Sequence, residues 1–298
     1  MIICQQHSLT YMHVLVDNMA KPNQTRNDVP TEVSDNHLTE NDWAGLKRYT
    51  DARIALGRAG TSLPTQAMLS FQMDHANARD AVHLPLEVDR LSAALKEKGG
   101  SPTLLSSRVS DRAEYLQRPD LGRRLSATSV AALRSMAQRS DQPIHACITI
   151  VDGLSSFAVQ SHAANLFEQI CVRLAEEGIS QPALCIVEQG RVAIGDEIGE
   201  ILGAQLMILL VGERPGLSSP DSLGVYFTYG PKLGLSDADR NCISNIRPAG
   251  MSYHAAADKL IWLIKQSMQL SYSGVELKDQ SESIELTEGA ESGNFLLD

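Results

Sequence analysis

At 298 residues with a formal net charge of −10, the chain is long enough for one large domain or two modest ones, and it has no basic stripe with which to hold nucleic acid. Its apolar fraction of 43% and charged fraction of 21% are those of a soluble globular protein. Five scattered cysteines, Cys4, Cys147, Cys171, Cys185 and Cys242, lack paired metal-ligand spacing, which argues against a zinc site and for reduced thiols in a reducing compartment.

The N-terminus, MIICQQHSLTYMHVLVDNMAKP, has no basic region ahead of its apolar residues and no long apolar run. Neither a signal peptide nor a transmembrane helix is expected, and the cytoplasm is the expected location. Tyr11 to Met19 carries Met12, Val14, Leu15, Val16 and Met19. It reads as a disordered tail, with a short docking helix as the alternative. Lys21 to Asn41 is rich in Asn, Thr and Asp and reads as a linker, so residues 1–41 are set apart from the folded part.

From Asp42 the pattern turns helical, with Trp43, Leu46, Ile54 and Leu56 on one face and Gly57-Arg58-Ala59-Gly60 as its stop. Helical spacing resumes at Thr65 and continues to about His83. Asp74, His75 and Asp80 are ligand types, but adjacent helical residues project about 100° apart and chelate poorly. They are expected to be solvated or ion-paired. Leu86 to Lys98 is a further helical piece closed by Gly99-Gly100, and Ser110 to Leu116 leads into Arg118-Pro119-Asp120-Leu121-Gly122-Arg123-Arg124-Leu125. Ser126 suits the cap of a helix ending near Arg139. Residues 42–140 are thus expected to be mostly helical.

At Pro143 the character changes. Ile144 to Val151 is a β-rich apolar run, followed by Asp152-Gly153-Leu154-Ser155-Ser156 and a helix from Phe157 to Glu177. Leu184 to Val187 and Leu206 to Val211 are further buried strands, separated by a short helix from Asp196 to Leu202. Val225 to Tyr229 is a fourth strand, then a loop that ends in Cys242-Ile243-Ser244-Asn245, and a last helix, Ala255 to Met268, carries Trp262. Strand–helix–strand alternation means right-handed crossovers and a parallel sheet. The fold class is therefore α/β, a Rossmann-like parallel sheet domain over residues 141–273 preceded by the mostly helical region. Residues 274–298 read as an acidic disordered tail.

Open α/β sheets bind ligands at the carboxyl ends of their strands, which puts Gly212-Glu213-Arg214-Pro215-Gly216 where a ligand belongs. The G-x-G-x-x-G fingerprint, the P-loop, the G-x-S-x-G elbow and H-E-x-x-H are all missing. Asp152 is a candidate ligand contact or a helix cap. N–H groups near Asp196 are expected to be open to acceptors. With Glu213 after one strand and Cys242 after the next, three loops converge on a platform that has no nucleophile–base pair.

Eight short motifs then occur in order: Leu56-Gly57-Arg58-Ala59-Gly60 with Thr65-Gln66-Ala67, Asp74-His75, the Arg118–Leu125 run, Asp152-Gly153-Leu154-Ser155, Gly190-Arg191-Val192, Ile198 to Ala204, Val211 to Gly216, and Asp239 to Ile246. Over residues 50 to 265 the chain resembles the light (small) subunit of adenosylcobalamin-dependent ethanolamine ammonia-lyase. The first 45 residues and the stretch after Gly274 do not visibly match. The resemblance implies an enzyme complex that converts ethanolamine to acetaldehyde and ammonia. Its large subunit, a TIM barrel, binds the aminoalcohol and carries the catalytic side chains, while the light subunit covers the other face of the cobalamin. Carried over by motif, the cofactor contacts are Val192, Glu213 and Cys242, with no catalytic or metal-ligating residue on this chain. A histidine-ligated cobalamin needs D-x-H-x-x-G, whose nearest approach is Asp35-Asn36-His37 with Glu40 at the glycine position. The resemblance accordingly implies adenosylcobalamin held base-on, and an enzyme commonly housed in a bacterial microcompartment. Two readings from other classes stand beside it: a non-catalytic assembly protein with a ligand-free α/β domain, and a stand-alone nucleotide-binding α/β enzyme, against which the missing phosphate loop counts.

Overall fold

Two runs of apolar residues, ACITIV and LMILLVG, lie side by side with every residue buried, and the rest of the fold is laid around them. The computed structural model describes residues 38–39, 41–139, 143–179 and 181–279. The helix or tail at Tyr11–Met19, most of the linker, Asp35–His37 and most of the acidic tail lie outside the described residues.

In chain order, β1 (Leu38–Thr39) pairs antiparallel with β2 (Arg58–Ala59), with a 3-10 helix over Asp42–Tyr49 between them. Then come α1 (Thr65–His83), α2 (Val88–Glu97), β3 (Thr103–Ser106), α3 (Arg112–Gln117), a 3-10 turn at Leu121–Arg123, and α4 (Ala127–Arg139). The second half holds β4 (Ala146–Val151), α5 (Ser156–Glu176), β5 (Ala183–Glu188), α6 (Ile194–Leu202) and β6 (Leu206–Gly212). It closes with β7 (Leu223–Tyr229), a 3-10 turn at Asp237–Asp239, β8 (Asn241–Ile246) and α7 (Tyr253–Leu270).

The main sheet has the order β3-β5-β4-β6-β7-β8. Its first four strands are parallel, as expected for an α/β chain. At the β6 edge β7 and β8 add two antiparallel partners, so the sheet is mixed rather than wholly parallel. A ten-residue loop between β6 and β7, with no helix in it, permits the antiparallel pairing. Two other differences lie in the region expected to be mostly helical. The edge strand β3 comes from it, and the first helix ends at Tyr49 instead of running to Gly57. There Thr50 Oγ1 accepts from the Ala52 N–H at 3.1 Å, a local bond that competes with the helix ladder, and residues 50–57 continue as irregular chain with Ala55 and Gly57 at positive φ.

Side-chain alternation sorts the core into two layers. Ile148, Ile150, Leu184, Ile186, Ile208, Leu210, Val225 and Phe227 pack on one face under α2, α5 and α7. Cys147, Val151, Cys185, Val187, Met207, Leu209 and Val211 pack on the other under α4 and α6. Each fully buried aliphatic side chain here contributes about 1.5–3 kcal/mol. The second layer stops at β6. Among the described elements α5 and α7, on the first face, pack on β7 and β8; on the other face Tyr226 of β7 is half-buried against the second layer and Cys242 of β8 is exposed.

Candidate functional site: a groove beside the carboxyl edge of the sheet

β4 and β5 are neighbours whose chains leave in opposite directions, β4 to α5 on one face and β5 to α6 on the other. This is where a doubly wound sheet opens a ligand crevice. Here the crevice is plugged. Asp152, 1% exposed, accepts from the N–H groups of Gln189 and Gly190, both at 3.0 Å, and stands 3.5 Å from an Arg112 guanidinium nitrogen. Burial pushes its carboxyl up to about 6, against the opposing pull of Arg112 and the two amides. Asp152 therefore ties the β5–α6 loop rather than capping a helix. The cap of α5 is Ser155, whose Oγ accepts from the Ala158 N–H at 3.1 Å and donates to the Pro220 carbonyl at 2.8 Å.

Arg112 and Arg191 both lie against the Tyr115 ring, at 4.6 and 4.0 Å from its centroid. The Tyr115 hydroxyl donates to the Gly190 carbonyl at 3.0 Å, and Arg191 donates to the Tyr115 carbonyl at 3.0 Å. Burial raises the Tyr115 hydroxyl far above the ordinary range. This assembly fixes Gly190-Arg191-Val192 from below. Two of its buried donors, Arg112 Nη2 and Arg191 Nε, have no protein acceptor.

The turn after β4 is held just as closely. Gly153 has a φ of +57°, and a Cβ there would lie 2.3 Å from the Gly212 carbonyl oxygen. Leu154 N–H donates to that same carbonyl at 2.9 Å. No larger residue fits, because the ends of β4 and β6 meet backbone to backbone.

A groove of about 220 Å³ opens here, lined by Tyr115, Gly153, Arg191, Val192, Glu213 and Tyr226 among others. A second hollow shares Arg191, Val192 and Tyr226 and reaches Leu235, Ser236 and Asp237. The structure thus brings Val192 and Glu213 to one groove. Cys242 is placed differently from the sequence expectation. It is on β8, not in a loop, paired with Tyr226 of β7, which in turn pairs with Leu209 halfway along β6. Cys242 is therefore a mid-sheet residue on the open face, joined to the groove through Tyr226. Burial raises the Tyr226 hydroxyl first, and Cys242 and Glu213 add to the shift. The Cys242 thiol is also raised, by desolvation and then by Glu213, against the Tyr226 hydroxyl that lowers it, although the residue as a whole is exposed.

Glu213 is already engaged. Its carboxylate accepts from the Ser222 hydroxyl, from the Ser244 hydroxyl at 2.5 Å and from the Asn245 N–H at 3.2 Å. It straps the end of β6 to the start of β7 and to β8. The N–H groups at the start of α6 are likewise spoken for: Ile194, Gly195 and Asp196 donate to the carbonyls of Arg191, Val192 and Ala193. Asp196 forms a buried ion pair with Arg240, and burial lifts its carboxyl to about 6 despite that partner. The pair anchors the 231–240 segment over α6.

A family model described as ethanolamine ammonia-lyase light chain (EutC) matches residues 40–278. The chain belongs to that family. The ethanolamine ammonia-lyase small subunit of Azotobacter vinelandii is 54% identical over 260 residues, covering 87% of this chain and 96% of its own. That of Pseudomonas syringae pv. tomato is 51% identical over 274 residues, covering 90% and 96%, and that of Ralstonia nicotianae is 50% identical over 273, covering 92% and 98%. As an ethanolamine ammonia-lyase light chain, this protein is one part of an enzyme. Among its described residues no helix is long and apolar enough to cross a membrane.

Sequence reasoning missed Arg112, Tyr115 and Tyr226. The alternation in Val225-Tyr226-Phe227 was the available signal for the last, since Val225 and Phe227 point into the core and Tyr226 the other way. Nothing local marks Arg112 or Tyr115, which lie about 75 residues before the loop they support.

Proposed function

We propose that this chain covers one face of base-on adenosylcobalamin, against a large subunit that binds ethanolamine and carries the side chains for its conversion to acetaldehyde and ammonia. The observation that carries this reading is the groove itself. At about 220 Å³ it is below the roughly 300–1,000 Å³ that encloses even a drug-sized ligand, yet it adjoins a second hollow of about 470 Å³ through Arg191, Val192 and Tyr226, and Tyr226 borders the exposed Cys242. Such a surface suits a large flat ligand that a second chain covers from the other side.

The residues present fit a corrin with its ring of amides and its nucleotide loop. Val192 and the flank of Tyr226 offer apolar contact, and Arg191, which lines both hollows, is a cationic donor for acceptor groups. The cofactor supplies the radical chemistry when bound. This chain's part is to position it and exclude water, through Val192, Glu213 and Cys242 on their three elements. The same reading places the enzyme in the cytoplasm, within a bacterial microcompartment.

The test is co-expression with a large subunit, purification through this chain, and measurement of bound corrin absorbance and of ethanolamine-dependent acetaldehyde with and without adenosylcobalamin. Copurification, retained corrin and cofactor-dependent turnover are expected. A complex that retains no corrin would leave the assembly-protein reading in its place.

A further inference from the structure

α1 departs from the packing of every other long helix in the fold. Of its nineteen residues only Ala81 is buried. Over Thr65–Met73 every residue except Ala67 is exposed, including Met68, Leu69, Phe71 and Met73 at 46, 56, 44 and 64%. At about 100° per residue these four side chains spread over roughly 200° of the helix circumference. The run from Ala59 to Met73 contains no charged residue. A helix apolar around most of its circumference belongs in an interior, and tertiary packing, not propensity, normally holds a helix of this length.

The far end of α1 is attached where Arg112 Nε donates to the Val82 carbonyl at 2.7 Å, and the helix contacts α5. Nearer its start, Arg53 pairs with Asp74 and lies 5.8 Å from the Phe71 ring centroid, which leaves Met68, Leu69, Phe71 and Met73 still half-exposed. The exposed end is flanked by Leu38, Trp43, Tyr49 and Leu63, at 49, 62, 69 and 50% exposure.

We propose that the Leu63–Met73 end of α1, with Trp43 and Tyr49, is an arm that inserts into an apolar cleft of the large subunit. This rests on the reading that a large subunit is the partner. The eight half-exposed residues present roughly 650–1,100 Å² of mostly apolar surface, taking about 150–250 Å² for a large side chain. That exceeds the patch a monomer ordinarily exposes, about 300–600 Å², and is close to the roughly 800 Å² that a standard interface takes from each partner. A second copy of the same helix lying alongside would cover one stripe only, whereas the apolar residues here take up more than half the circumference.

The test uses the full chain and the large subunit, purified separately and titrated together, with the double variant Leu69→Lys/Met73→Lys. Both side chains are exposed, so the variant's circular dichroism and thermal midpoint should match those of the wild type, while its affinity for the large subunit should fall at least a hundredfold. A milder pair, Leu69→Ser/Met73→Ser, should fall at least tenfold. Unchanged affinity in both variants overturns the proposal. So does loss of a wild-type self-dimer by the variants with the large-subunit complex intact, which would make a second copy the occupant. So does removal of residues 1–37 if it exposes Leu63–Met73 to hydrogen exchange within the complex, which would make the chain's own N-terminus the cover. If the wild-type chain does not bind a large subunit at all, the proposed function fails with the arm. If it assembles but retains no corrin, only the cofactor reading fails.

Discussion

Replacing Glu213 by alanine separates two roles that a loop carboxylate can have. In the structure the carboxylate accepts from Ser222, Ser244 and Asn245 N–H, so it joins β6, β7 and β8 at one point. A hydrogen bond to a charged group contributes about 1.5–3 kcal/mol net. Ser244 and Asn245 are exposed while Ser222 is buried, so water replaces part of what the two exposed donors lose. Glu213→Ala should then lower the unfolding free energy by about 2–4 kcal/mol. Glu213→Gln keeps one carbonyl acceptor and should lose about half of that. Because the strap sets the relation of the Glu213 loop to Tyr226 and Cys242, affinity for adenosylcobalamin in the complex should fall at least tenfold in the alanine variant. The assays are urea unfolding of the chain and corrin titration of the complex. Lost affinity with stability unchanged would refute the strap and make the carboxylate itself the cofactor contact.

Three further outcomes follow from the same geometry. Gly153→Ala places a Cβ 2.3 Å from the Gly212 carbonyl oxygen at a φ of +57°, and should cost about 2–4 kcal/mol, read as a lowered urea midpoint. Arg240→Met leaves Asp196 buried without its cation, to be held charged or protonated at a cost of about 3–5 kcal/mol. Adding Asp196→Leu should recover much of it, and a double variant no better than the single would argue against the pair. Asp152 titrates near 6 when folded and about 4 unfolded. The folded chain thus binds the extra proton between pH 4 and 6, so this group's destabilising contribution is fully present above pH 6 and vanishes below pH 4. At about 1.4 kcal/mol per unit that is about 3 kcal/mol. Relative to Asp152→Asn, the wild type should gain stability as pH falls from 7 to 4.5, and a drift the other way would contradict the assignment.

The parts of the fold that were plain in the sequence are those whose burial writes itself into composition. ACITIV and LMILLVG are buried on both faces and, Thr149 apart, carry no polar residue, and the helices between them force parallel pairing. The edges left no such mark. In β3 only Leu105 is buried, and in β8 only Ile243 and Ile246, so TLLS shows no strand signal within the region expected to be mostly helical and Cys242-Ile243-Ser244-Asn245 reads as the end of a loop. That is why Cys242 was expected at the carboxyl end and lies instead in mid-sheet. The groove was legible as a convergence of the Val192 and Glu213 loops, because ligand position follows from topology. What fills the space between them was not, because the Arg112–Tyr115–Arg191 stack joins segments distant in the chain. Asp152 looked like a cap because it precedes Ser155, yet its acceptor atoms are used by amides across the crevice, a choice made by tertiary packing alone.

The most direct test of the central claim, that the Val192–Glu213–Cys242 surface covers the cofactor, is the alkylation rate of Cys242 followed by mass spectrometry. Cys147 and Cys185 are buried and Cys171 is half-buried, so within the same digest they report on global opening. The rate is taken for the complex without cofactor and again with saturating adenosylcobalamin. The account predicts at least tenfold protection of Cys242 on adding the cofactor, with the buried thiols unchanged. An equal Cys242 rate in both states, at a cofactor concentration that supports turnover, would contradict it.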